Sequence, residues 1–89
     1  MKTVEIYTVN YCQYCFWAKE LLNNKGIKYK ELDITEDEDE LMKKLGEYYS
    51  IEGEITVPQI IIGGKRIGGY TDLKALDESG ELDKLINEE

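Results

Sequence analysis

The chain reads as an α/β fold: a four-stranded mixed sheet flanked by helices on both faces. Three observations lead there. The alternating stretch Val4 to Val9 runs into a segment of helical period and then into a second alternating stretch, which is the pattern of a βαβ unit. Gly63-Gly64 separates two strand-like runs and reads as the two-residue turn of a β-hairpin. The residues after Gly69 return to helical spacing, so the order βαβα–ββα requires a sheet with both parallel and antiparallel pairs.

Each element has its own signal. Lys2 to Val9 is expected as the first strand, and Cys15 to Lys25 as a helix stopped by Gly26, a natural residue just past a helix end. Lys28 to Asp33 alternates as the second strand and should lie parallel to the first. A second helix is expected from about Asp37 to Tyr48, with Leu41, Leu45 and Tyr48 at helical spacing, and Tyr48 to Glu54 as a loop. Gln59-Ile60-Ile61-Ile62 and Lys65-Arg66-Ile67 make the hairpin. Leu73 and Leu76, then Leu82 to Ile86, give two short helices broken at Gly80.

Length and charge narrow the function. With 89 residues, the whole of 1–89 is expected to form one domain, near the size at which a single core is just adequate. No stretch approaches a membrane span, and Met1-Lys2-Thr3 leads directly into a strand rather than a signal peptide. A reducing, cytoplasmic setting follows by default. The formal net charge of −8 speaks against nucleic acid or an anionic membrane as partner. Many of the acids sit between Glu31 and Glu40, where Thr35 can N-cap the second helix, Glu38 completes a capping box, and first-turn acids complement the helix dipole.

The only two cysteines are Cys12 and Cys15, in Cys12-Gln13-Tyr14-Cys15, between the first strand and the first helix. A thiol must ionise before it attacks a disulfide, and the unpaired N–H groups of a helix N-terminus favour negative charge. Cys12 lies just ahead of the first turn and open to solvent, whereas Cys15 shares a helix face with Ala18 and Leu22 and should be partly covered. Cys12 is therefore read as the attacking thiol and Cys15 as the resolving one. Three plainer readings compete. Half a zinc site lacks a second cysteine pair and any histidine; a structural disulfide would close too small a loop to stabilise much; and both could be coincidental core cysteines.

With Cys12-Gln13-Tyr14-Cys15, Thr56-Val57-Pro58 and Gly68-Gly69-Tyr70-Thr71-Asp72 in this order, the chain resembles a dithiol glutaredoxin, of the thioredoxin superfamily, over essentially its whole length. The Gly-Gly-x-Thr-Asp segment distinguishes it from thioredoxin. The resemblance implies a thioredoxin-like fold and a glutathione-dependent thiol–disulfide oxidoreductase that acts on protein–glutathione mixed disulfides and protein disulfides. Catalysis would fall to Cys12 and Cys15, and glutathione binding to Tyr14, Thr56, Val57, Pro58, Gly69, Tyr70, Thr71 and Asp72. A cis Val57–Pro58 bond would turn the Val57 backbone toward the thiols, where it can pair with an extended peptide. The helix opened by Thr71-Asp72 can receive the γ-glutamyl carboxylate, while Asp72 pairs with the ammonium. Phe16 and Trp17 are read as packing residues.

The chain also departs from the family. Val9 stands where a lysine commonly helps hold the glycine carboxylate of glutathione, and Gln13 replaces the usual proline of the dithiol motif. The loop before Thr56 carries Glu47, Glu52 and Glu54; Lys43, Lys44, Lys65 and Arg66 are the cations that folding could bring to the site. The expected partners are glutathione and disulfide or glutathionylated proteins, with the chain a monomer that requires no cofactor. Two other roles suit the same motif: a small redoxin fed by thioredoxin reductase, and a protein that holds a [2Fe–2S] cluster between two subunits.

Overall fold

The computed structural model describes residues 2–51, 53 and 55–87, so Glu52 and Glu54 of the acidic loop lie outside the described residues. Its first strand, β1 (Val4–Thr8), buries Val4, Ile6 and Thr8 and leaves Glu5 and Tyr7 half-buried, the alternation of a strand with one face on the core. Helix α1 (Gln13–Asn24) follows, burying Cys15, Ala18 and Leu22 along one face. The chain then returns through β2 (Lys30–Asp33), which pairs parallel with β1 from Glu5↔Lys30 to Thr8↔Asp33.

Several boundaries differ from expectation, β1 being shorter at both ends than Lys2 to Val9, and two of the shifts have local reasons. α1 begins at Gln13, two residues before Cys15, because the Cys12 side chain itself caps the first turn. β2 begins at Lys30 rather than Lys28 because pairing with β1 reaches only that far. The capping box at the second helix does not form. Thr35 opens a 3-10 turn (Thr35–Asp37), its hydroxyl donates to the Asp33 carboxylate, and it accepts the Asn10 N–H at 2.8 Å. Helix α2 (Glu38–Tyr48) therefore starts without a side-chain cap, although Glu38, Asp39 and Glu40 still occupy its first turn.

The hairpin consists of β3 (Gln59–Ile62) and β4 (Lys65–Gly68). Gly63 and Gly64 both take positive φ, at 58° and 81°, the backbone that a two-residue hairpin turn demands. β3 pairs antiparallel with β1 and with β4, giving the sheet order β2-β1-β3-β4. All four residues of β3 are buried because this strand is internal to the sheet. Helices α3 (Tyr70–Ser79) and α4 (Glu81–Asn87) meet at Gly80, as expected.

Val4, Ile6, Ile60 and Ile62 of the sheet pack with Ala18 and Leu22 of α1, Leu73 of α3 and Leu82 and Ile86 of α4. On the opposite face Tyr7 shares a shallow cleft with Leu41 and Leu45 of α2. The mixed α/β sheet with helices on both faces is thus the architecture expected from sequence. Its consequence for function is geometric. The N-termini of α1 and α3 and the loop entering β3 are brought to one end of the sheet, since α1 and α3 pack side by side on a common face.

Candidate active site

Cys12 occupies the N-cap of α1 with extended backbone (φ −103°, ψ 116°), and its Sγ accepts the Cys15 N–H at 3.1 Å. A sulfur here serves as an acceptor for a helix N–H that would otherwise lack a partner, and the same N–H stabilises negative charge on it. The Cys12 thiol in turn donates to the Val57 carbonyl at 3.6 Å. Cys12 is half-buried, whereas Cys15 is only 1% exposed; both are free thiols. Burial, and next the hydrogen bond with Cys12, push the Cys15 thiol up to about 12, against a smaller opposing effect of the Val9 backbone. The two sulfurs are therefore unlike: one is accessible at a helix N-terminus, and the other is kept protonated under the first turn.

Beside Cys12 lies a groove of about 390 Å³, within the ~300–1,000 Å³ typical of small-molecule sites. Tyr14, Thr56, Val57, Pro58, Gly69, Tyr70, Thr71 and Asp72 all line it, so the eight residues that the resemblance implied converge. The Val57–Pro58 peptide is cis, as expected, and Pro58 is buried at the entrance to β3. Asp72 accepts the Gly69 N–H at 3.0 Å and so caps α3 from its third position. Gly68 sits against this carboxylate with φ 121°, and a Cβ there would collide with the Asp72 side chain.

Tyr14, Trp17 and Tyr70 form an aromatic group at the groove's edge. Tyr14 and Trp17 meet edge-to-face at 5.2 Å, and Tyr70 lies 6.1 Å from Tyr14 and 5.9 Å from Trp17. Phe16 and Trp17 are not core residues, being 55% and 41% exposed; Trp17 packs against Tyr14 and Tyr70 at the surface. α1 turns a single apolar face to the sheet, and Cys15, Ala18 and Leu22 already fill it.

Two further residues line the groove, Gln59 and Arg66. Gln59 follows Pro58 as the polar start of an otherwise apolar strand, which was a signal available in the sequence. Arg66 is the one of the four candidate cations that folds into the groove. Lys44 instead pairs with Glu40 at 3.3 Å, and Lys65 lines a neighbouring cleft. Val9 is buried, 3% exposed, and contributes no charge.

Within one chain the thiols offer a cluster a single accessible sulfur, that of Cys12. Fe–S clusters of this kind take four thiolate ligands, yet the Cys15 sulfur is buried and only Cys12 is accessible. Among the described residues no three His, Cys, Asp or Glu side chains come together as a metal site.

The Glutaredoxin family model matches residues 4–67, a span that includes the thiol motif, the cis-proline turn and most of the hairpin. The chain belongs to the glutaredoxin family. It is 46% identical over 86 residues to glutaredoxin 3 of Escherichia coli (strain K12), a match covering 97% of this chain and 99% of that protein. Among solved structures it resembles a buckwheat glutaredoxin–glutathione complex, with TM-score 0.86, 27% identity and coverage of 98% of this chain and 78% of that one. A solution structure of glutaredoxin from Brucella melitensis matches with TM-score 0.81 and 41% identity over 97% of this chain and 89% of that one. The sheet is accordingly that of a thioredoxin-like fold, and membership of this family implies thiol oxidoreductase activity. Among the described residues no helix is long and apolar enough to cross a membrane.

Proposed function

We propose that this glutaredoxin is a glutathione-dependent thiol–disulfide oxidoreductase whose substrates are protein–glutathione mixed disulfides and protein disulfides. The observation that carries the reading is the accessible Cys12 sulfur at a helix N-terminus, hydrogen-bonded to Val57 on the wall of a groove that ends at Asp72 and the start of α3. Glutathione is an extended tripeptide with a charged α-amino-acid head at one end. A backbone edge at Val57 suits its cysteine, and a helix N-terminus with a carboxylate suits that head. The buckwheat protein in complex with glutathione supports the same reading by similarity.

In this reaction the Cys12 thiolate attacks the glutathione sulfur of a mixed disulfide. A Cys12–glutathione disulfide forms, and the substrate protein leaves as a thiolate that takes up a proton. A second glutathione thiolate then attacks the bound glutathione sulfur, releasing glutathione disulfide and restoring Cys12. Alternatively Cys15 loses its proton and attacks Cys12, expelling glutathione and leaving a Cys12–Cys15 disulfide that two glutathiones reduce. Electrons come from the glutathione pool, whose poise overlaps the range in which glutaredoxin dithiols work. The chain works as a monomer in a reducing compartment such as the cytoplasm, with Tyr14, Thr56, Val57, Pro58, Gly69, Tyr70, Thr71 and Asp72 as the glutathione site.

A coupled assay with glutathione, glutathione reductase and a mixed-disulfide substrate tests this. Saturable turnover dependent on Cys12 is expected; turnover with thioredoxin reductase and none with glutathione would replace glutathione as the electron source. Anaerobic incubation with iron, sulfide and glutathione is expected to leave a colourless monomer, and visible absorption eluting with a dimer would assign the cluster role instead.

A further inference from the structure

Arg66 and Gln59 form a built arrangement that the thiol chemistry does not use. Gln59 is only 2% exposed, yet both ends of its amide are engaged: Nε2 donates to the Thr56 carbonyl at 2.6 Å, and Oε1 accepts Arg66 Nε–H at 3.0 Å. The amide orientation is unambiguous, because a backbone carbonyl only accepts and a guanidinium only donates. A buried side chain thus locks the guanidinium to the loop that carries Val57. One of the five guanidinium N–H groups is spent on Gln59, which among the described residues leaves the two terminal NH2 groups to bind something else.

The charges nearby say what that is. Arg66 is not drawn into an ion pair among the described residues, and neither is Asp72. Both line the groove beside Cys12, and both also line the cleft adjoining it, so they sit at the same end. Asp72 uses Oδ2 on the Gly69 N–H, leaving Oδ1 for a ligand cation. A fixed cation and a fixed anion at one end of a groove complement an α-amino-acid head, in which carboxylate and ammonium share one carbon.

We propose that Arg66, positioned by Gln59, reads the α-carboxylate of the γ-glutamyl end of glutathione while Asp72 takes its ammonium. This rests on the glutathione reading above. It makes Arg66 a specificity residue of the ligand head, and it separates this end from the glycine carboxylate, which lies at the far end of the tripeptide. Arginine suits the task because its planar fork matches a carboxylate with two parallel hydrogen bonds.

The test compares wild type with Arg66→Ala and Arg66→Lys in the coupled assay against three thiols. These are glutathione, its glycine amide, and the analogue lacking the glutamyl α-carboxylate, γ-aminobutyryl-cysteinyl-glycine. Arg66→Ala is expected to raise KM about tenfold for glutathione and for the glycine amide. It should change KM for the decarboxylated analogue by less than about twofold, and Arg66→Lys should recover only part of the loss. Equal effects on all three thiols would reduce Arg66 to a structural strut, and a loss with glutathione but not with the glycine amide would move it to the other carboxylate. Either result overturns the proposal. Wild type lacking saturable glutathione turnover would refute the parent reading, whereas normal wild-type turnover with an unchanged Arg66→Ala refutes this one alone.

Discussion

Two helix N-termini face the same groove, and they are finished differently. At α1 the capping atom is the sulfur of Cys12, which accepts the Cys15 N–H at 3.1 Å. At α3 it is the carboxylate of Asp72, which accepts the Gly69 N–H at 3.0 Å. Both satisfy donors that any helix start leaves open, and both sit in the positive field of the first turn. A sulfur there is a nucleophile, while a carboxylate there is a fixed charge for a ligand. In the proposed function one backbone device, carrying different atoms, supplies reactivity at one end of the groove and recognition at the other.

The sharpest way to break this comparison is to exchange the reactive atom. Cys12→Ser keeps an oxygen that can cap α1 and should abolish all thiol transfer, while Cys15→Ser should keep the single-thiol reaction and trap glutathione on Cys12. Mass spectrometry that finds the adduct chiefly on Cys15 would reverse the two roles.

The α3 end should respond in binding rather than in chemistry. Asp72→Ala is expected to raise the glutathione KM by an amount worth about 1–3 kcal/mol, the scale of a hydrogen bond to a charged group. Asp72→Asn separates cap from charge, since its amide oxygen can still accept the Gly69 N–H. If Asp72→Asn binds glutathione as wild type does, Asp72 is a cap only.

A pH series sharpens the contrast between the sulfurs. With its thiol pushed up to about 12 by burial, Cys15 stays protonated through neutral pH. A thiol whose folded value is raised contributes stability that is present below the ordinary ~8.5 and lost as pH rises through the folded value. Alkylation of Cys15 in the Cys12→Ser protein should therefore be slow at pH 7 and climb about tenfold per pH unit above it. A rate that levels off above about pH 9 would show an ordinary, exposed thiol.

The smallest effect is expected beneath the site, where Glu31 accepts from buried Thr8 at 2.7 Å and pairs with Lys19 at 2.9 Å. The Lys19 hydrogen bond first, and that from Thr8 next, hold the Glu31 carboxyl below its ordinary range. The contribution of a lowered carboxylate is present above the ordinary value of ~4.3 and lost as pH falls through the folded value. Because the pair is partly exposed, Glu31→Gln should cost only about 0.5–1 kcal/mol in a denaturant melt at pH 7. The difference should disappear in acid, and a cost independent of pH would remove charge as its cause.

Most of the fold was legible along the chain because its signals are local. Alternation marked β1, helical spacing marked α1 through Cys15, Ala18 and Leu22, and Gly63-Gly64 marked the hairpin. The unlike fates of Cys12 and Cys15 were legible too, since three residues along a helix carry a side chain from its open end to its covered face. The eight groove residues came instead from a family resemblance, and folding brought them together. Competition among distant groups was decided only in the tertiary structure. The Thr35 hydroxyl could cap a helix, yet it takes the Asp33 carboxylate and the Asn10 N–H once β1 and β2 lie side by side. Val57 meets Cys12 across 45 positions of sequence. Arg66 was one cation among several until the pairing of β3 with β4 set it beside Gln59 at the groove. Periodicity specifies which face of an element is buried, but the partner a polar atom finds depends on which elements become neighbours, and that is settled by packing.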